Sequence, residues 1–288
     1  MKTHLNCVPC VVRQAVDVVQ RVESDPIQQE RLIRRILKTL SGIELHRSPP
    51  DIVQTVQRII RDHTGLTDPY DMIKRQFNDL ALDMVPVLNA CIDQVADPFD
   101  AALRMAMAGN VIDFGVNGQI ESTVVQETLD EVRDAPIDMD AVLALKKQIS
   151  QSRRILYLLD NTGEIVFDRL FIERCLPGDK TIAAVRGAPV LNDATLEDAR
   201  YVGLTDVVTT IDNGSDAPGT LLDDCSDAFL KVFWDADVII AKGQGNYETL
   251  NEVQANIFFV LKVKCPIAAR SIGRVNGSWV VAESQSRK

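Results

Sequence analysis

The stretch ILYLLDNTGEIVFDRLFIE, residues 155–173, opens with an apolar run that shows no alternation and halts at Asp160-Asn161-Thr162-Gly163. Helical spacing follows at once. A short, continuously apolar run is the mark of a strand buried on both faces, and the helix after it makes the half-unit of a parallel sheet. A carboxylate and a carboxamide stand side by side at the junction.

The same alternation continues to the end of the chain. The runs TIAAVR (181–186), VVTTID (207–212), DVIIAKG (237–243) and PIAARSI (266–272) read as strands. Between them FDRLFIERC, TLEDARYVG, LLDDCSDAFLKVFWDA and YETLNEVQANIFFVLKVK read as amphipathic helices. Strand and helix in turn imply a mainly parallel sheet covered on both faces. Upstream the period differs. VVRQAVDVVQRV (11–22) and IVQTVQRIIRD (52–62) repeat at helical spacing, with breaks at SPPD (48–51), TGLTDP (64–69) and ADP (96–98). The reading is therefore α/β, with a mainly helical N-terminal part over 1–147 and a three-layer αβα, Rossmann-like sheet domain over 148–288.

Composition narrows the function. Apolar residues make up 46% and charged residues 25%, enough for a full core. Lys and Arg number 31 against 41 Asp and Glu, a formal charge of −10. That balance disfavours nucleic acid and anionic membranes as partners. No apolar stretch reaches membrane length and the start MKTHLNCVPC has no signal-peptide core, so a cytoplasmic location is expected. Six cysteines in a chain of this length are no disulfide framework. Cys91, Cys175, Cys225 and Cys265 sit in apolar surroundings and read as buried thiols.

In parallel sheets ligands bind outside the carboxyl ends of the strands. Those ends carry Asp160-Asn161, then Arg186 followed by Pro189 and Asn192-Asp193, then Asp212 to Asp216, then Lys242-Gly243-Gln244-Gly245-Asn246. Carboxylates and carboxamides without His or Cys favour a hard divalent cation. Glycine-rich turns that open helices suit an anion, and Arg186 and Lys242 supply positive charge for another. Together these are the parts of phosphoryl transfer or phosphate hydrolysis. Taken singly, each cluster is also an ordinary turn or cap: Thr162 as a helix N-cap, Asn192-Asp193 as another, Asp212-Asn213-Gly214 as a tight turn. Only the ligand reading anticipates that the clusters converge.

In this order the motifs LDNTGE (159–164), APVLNDAT (188–195), DNGSDAPGT (212–220) and KGQGNYETL (242–250) resemble the metal-dependent damage-control phosphatases, long called domain of unknown function 89. The helical half is similar to that family's compact prokaryotic and archaeal-type branch, through CVPCVVRQA (7–15), DPYDMIKRQFN (68–78) and DPFDAALRMAMAGNVIDFG (97–115). The resemblance implies one divalent metal (Mn, Mg, Co or Ni) and hydrolysis of small phosphometabolites such as sugar phosphates. By the same resemblance Asp160, Asn161 and Asp193 match the metal ligands, and Lys242 matches a lysine near the substrate phosphate. Gly214, Ser215 and Asp216 are expected at the substrate phosphate, with Asp216 the candidate catalytic acid. Asn110 and Asp113 are expected to reach the pocket from the helical half. The nucleophile is either metal-activated water or the Asp160 carboxylate.

Cys7-Val-Pro-Cys10 is half of a zinc signature and stays open between a packed pair of thiols, a second metal site and a redox pair. Rival functions fit less well. An aspartyl-phosphate phosphatase of the haloacid-dehalogenase type would want a second Asp where Thr162 stands. A non-catalytic nucleotide- or metal-binding protein of Rossmann type, and an S-adenosylmethionine-dependent carboxyl methyltransferase, would each want a glycine-rich first loop that DNTGEI lacks.

Overall fold

The chain starts with three helices, α1 (Cys7–Val22), α2 (Pro26–Leu40) and α3 (Pro49–Thr64). Each turns one apolar stripe inward, and Val18, Val19, Leu32, Ile36, Val56 and Ile60 close a core of their own. Their ends follow local chemistry. Asp25 caps α2 through the Ile27 N–H with Pro26 at the first helical position, and Gly65 (φ 71°) ends α3 in the left-handed region. Two further helices, α4 (Asp71–Asp93) and α5 (Pro98–Gly109), lead toward the sheet. The structure is a computed structural model and describes residues 1–109, 127 and 130–284.

After α6 (Met139–Gln151) the chain alternates β1 (Ile155–Leu158), α7 (Glu164–Cys175), β2 (Thr181–Val185), α8 (Leu196–Tyr201), β3 (Thr209–Asp212), α9 (Asp227–Asp235) and β4 (Val238–Lys242). It closes with α10 (Gly243–Leu250), β5 (Ile257–Lys262), α11 (Pro266–Ile272) and β6 (Trp279–Glu283). The strand order is β3-β2-β1-β4-β5-β6, with β6 the one antiparallel partner among the described strands.

Pleating sorts the strand side chains into two layers. Ile155, Tyr157, Ala183, Val185, Val238, Ile240, Phe258 and Val260 face α4, α5, α6 and α7, in one core. Leu156, Leu158, Ala184, Ile239, Ala241, Ile257 and Phe259 face α9, α10 and α11. Phe99 of α5 meets Phe171 of α7 edge-on at 5.4 Å between ring centres, and Tyr157 lies 6.2 Å from Phe171. Such ring pairs add about 0.5–1.5 kcal/mol each beyond area burial. They fasten the helical half to the first strand.

Two elements differ from the sequence reading. PIAARSI is α11, not a strand: Pro266 takes the first helical position, the Cys265 side chain caps it, and Gly273 (φ 70°) ends it. The supposed helix YETLNEVQANIFFVLKVK breaks after Leu250, and its IFFVLK core is β5, with its first five residues buried. Thr162 is not a cap either. Gly163 precedes α7, while the Thr162 hydroxyl donates to the Asn192 carbonyl at 3.0 Å.

Candidate functional site

Because β1 to β4 run parallel, their carboxyl ends share one edge, and the chain folds back there to bring them closer. Ala194 N–H donates to the Asp160 carbonyl at 2.8 Å, and Asn161 and Asp193 pair as an isolated antiparallel bridge. The loop carrying Asp193 includes Leu191 at φ 48°, a conformation branched side chains rarely adopt, and its side chain packs on the α1–α3 core.

Arg186 ties the edge together. Its Nε donates to Asp193 at 2.6 Å, Nη2 to Asp160 at 3.1 Å and Nη1 to Asn246 at 3.1 Å. Asn161 donates its amide to Asp160 at 2.8 Å and to Glu164 at 3.2 Å. All are buried or nearly so, with Arg186 2% exposed. Burial, then the Asp193 and Glu164 carboxylates, push the Asp160 carboxyl up to about 7, and burial also raises Asp193. Gly243, at φ 77°, brings the start of α10 against Asp160 so closely that a Cβ there would overlap the carboxylate. The first turn of α10 has no side-chain cap.

Lys242 faces the other way. Its ammonium, 0% exposed, donates to Glu164 at 2.8 Å, to Asp168 at 2.5 Å and to the Ala106 carbonyl of α5 at 2.8 Å. Burial alone would depress the ammonium, but Asp168 and Glu164 outweigh it and the net shift is upward. Tyr157 donates to Asp168 at 2.7 Å, and burial lifts the Asp168 carboxyl to about 7. The resemblance puts Lys242 near the substrate phosphate; in the structure its Nζ anchors two carboxylates beneath the strand ends.

The 212–220 loop joins the edge through its backbone and the Asn213 side chain. Gly187 N–H donates to the Ser215 carbonyl at 2.8 Å and to Asn213 at 2.9 Å, and Gly214 (φ 76°) lies where any Cβ at Gly187 would collide. The Asp216 side chain turns to α3, while the Thr220 hydroxyl donates to Asn246 at 2.8 Å. Asp216 is gripped by Arg58, Arg61 and Gln54, and Ser215 donates to Asp224 at 2.6 Å. Burial favours the neutral acid at Asp216, but Arg58, Arg61 and Gln54 outweigh it and hold the carboxyl below its ordinary range. A carboxylate so paired is a strut for the loop, and the proton-donor role expected of Asp216 finds no support in it.

Asn110 and Asp113 lie outside the described residues. Cys7 is half-buried and Cys10 exposed at the start of α1; all six cysteines are free and none is fully buried, unlike the expectation for Cys91, Cys175, Cys225 and Cys265. Among the described residues no group of three or more His, Cys, Asp or Glu side chains is arranged to hold a metal. The strand-end set escapes that pattern, having two carboxylates and one carboxamide. Sequence reading gave no role to Glu164, Asp168 and Asn78, although Glu164 and Asp168 stand at i,i+4 on the buried side of their helix and so share a face.

The donor set fits a hard divalent cation. Around Asn161 stand four buried carboxylates, Asp160, Asp193, Glu164 and Asp168, the first two paired with Arg186 and the last two with Lys242. Among the described residues no hydrogen bond reaches Asp193 Oδ1 or Asn161 Oδ1. A cleft of about 410 Å³ adjoins the Asp193 loop, lined by Asp68, Lys74, Arg75, Pro189, Thr195 and Asp198. Neither it nor a cleft of about 600 Å³ lined by Tyr247, Ser271 and Arg274 includes Asp160, Asn161, Arg186, Asp193 or Lys242 in its lining.

Sheet order and edge chemistry together define an αβα protein with a helical half and an oxygen-donor site at a parallel sheet's carboxyl edge. The family described as damage-control phosphatase ARMT1-like domain matches residues 3–280, and the chain belongs to that family. The uncharacterized protein MJ0202 of Methanocaldococcus jannaschii is 36% identical, covering 95% of this chain and 92% of that one. Damage-control phosphatase PH1575 of Pyrococcus horikoshii is 30% identical, covering 97% of each. A damage-control phosphatase of Archaeoglobus fulgidus is 31% identical, covering 98% of this chain and 99% of its own. The crystal structure of PH1575, described as a DUF89 family protein, superposes with a TM-score of 0.90 at 29% identity, over 99% of this chain and 100% of that chain.

Proposed function

We propose that this chain is a divalent-metal-dependent phosphomonoesterase acting on small phosphorylated metabolites, in keeping with the names of its Pyrococcus and Archaeoglobus relatives. The observation that carries the reading is the buried strand-end cluster in which Asp160 and Asp193 share one guanidinium beside Asn161. Asp160, Asn161 and Asp193 would hold the cation, Mn, Mg, Co or Ni by donor chemistry. When bound, such a cation supplies Lewis-acid polarisation of a phosphoryl oxygen. Arg186 keeps the two carboxylates in place. The uncapped first turn of α10 offers its N–H groups to the phosphate oxygens, at the positive end of the helix dipole. Lys242 holds Glu164, and through it Asn161, at a fixed height. The cleft beside Thr195 gives room for a small organic group.

The test is a panel of sugar phosphates and related phosphometabolites, assayed with each of the four metals. Asp160→Ala and Asp193→Ala should each lose about a hundredfold or more in rate, since even outer-shell changes cost 10–100-fold. Rates within about twofold of the parent protein in both variants would sink the assignment.

A further inference from the structure

The turn that carries Asp160 and Asn161 ends in an unusual residue. Gly163 sits at φ 75°, ψ −56°, a conformation open to glycine and closed to residues with a side chain. Its N–H donates at 2.8 Å to the side-chain oxygen of Asn78, a 1%-exposed residue of α4 within the motif DPYDMIKRQFN. The other end of the same amide donates at 3.1 Å to Asp198. Asp198 in turn accepts from the Thr195 N–H at 2.9 Å and its hydroxyl at 2.7 Å, two residues beyond Asp193. Lys74, one helical turn before Asn78, pairs with Asp198 at 2.9 Å and Asp68 at 3.0 Å.

One buried amide thus touches the turn bearing Asp160 and Asn161 and, through Asp198, the turn bearing Asp193. Its orientation is fixed at both ends: a backbone donor demands the oxygen, and a carboxylate demands the NH₂. We infer that Asn78 is a positioning residue for the metal site, setting the spacing between the two ligand-bearing turns from the helical half of the chain. The inference rests on the metal reading proposed above. It gives the DPYDMIKRQFN motif a role that core packing does not require, because a packing residue at this place has no need of a polar group satisfied at both ends.

Isothermal titration with Mn²⁺ tests it, alongside thermal unfolding of the metal-free proteins. Asn78→Ala should weaken Mn²⁺ affinity about tenfold or more. Asn78→Asp keeps an acceptor for Gly163 but sets a carboxylate against Asp198, and should weaken it likewise. The double variant Asn78→Asp/Asp198→Asn restores a donor facing an acceptor and places the new carboxylate at i,i+4 from Lys74. It should recover to within about threefold of the parent. Equal Mn²⁺ affinity in Asn78→Ala and the parent, with only the unfolding temperature changed, would overturn the inference while leaving the metal reading intact. A parent protein that binds no Mn²⁺ would overturn both. If Asn78→Ala does not fold, the comparison passes to the other two, and a double variant no better than Asn78→Asp overturns the inference.

Discussion

Lys242 carries its charge where no solvent reaches, and the two carboxylates around it are equally enclosed. Removing one partner of such a group strands the others, at a cost of about 3–5 kcal/mol. Lys242→Met should therefore lower the unfolding free energy by that order in urea titrations, and Lys242→Met/Asp168→Asn should recover part of it; a variant as stable as the parent would contradict the buried-hub account. At this scale the sequence is a partial guide. Asp160, Asn161, Arg186 and Asp193 can be found from it because the strand-end rule names positions by counting from an apolar run. The destinations of Lys242 and Asp216 cannot, because a side chain's direction depends on elements far along the chain: Glu164 and Asp168 for one, Arg58 and Arg61 for the other.

At the scale of elements, α10 does two jobs in eight residues. Its first turn faces Asp160, while its far end buries Glu248, 8% exposed, with Gln244 donating to it at 2.7 Å. Burial pushes the Glu248 carboxyl from 4.5 up to about 7, the Gln244 hydrogen bond offsetting part of it. The folded chain therefore binds this proton more tightly than the unfolded one. The contribution to stability is complete below pH 4.5 and is lost as pH rises through about 7, on the order of 3 kcal/mol at 1.36 kcal/mol per unit. Glu248→Gln keeps the bond from Gln244 without the charge. Denaturant titrations should find it matching the parent near pH 4.5 and clearly more stable at pH 8; parallel pH profiles would contradict this. The helices and the first four strands are legible in apolar period and turn residues. β5 and α11 are not, since IFFVL is an unbroken apolar run and PIAARSI begins as apolar as a strand, and short runs of that kind carry no period.

For the whole molecule, the helical half does more than cover the sheet. Leu88, Leu103 and Met107 share one core with Tyr157, Phe167 and Phe171, and Asn78 reaches the turn of Asp160 from the same side. No helix among the described residues is long and apolar enough to cross a membrane. The fold class and family follow from the order of motifs along the sequence, because a parallel sheet brings successive strand ends to one edge whatever lies between them. The most direct measurement is phosphate release from a sugar phosphate by chelator-stripped protein, before and after one equivalent of Mn²⁺, Co²⁺, Ni²⁺ or Mg²⁺. The account predicts a silent stripped protein whose activity returns with at least one of these metals. Undiminished phosphate release by the stripped protein would contradict it.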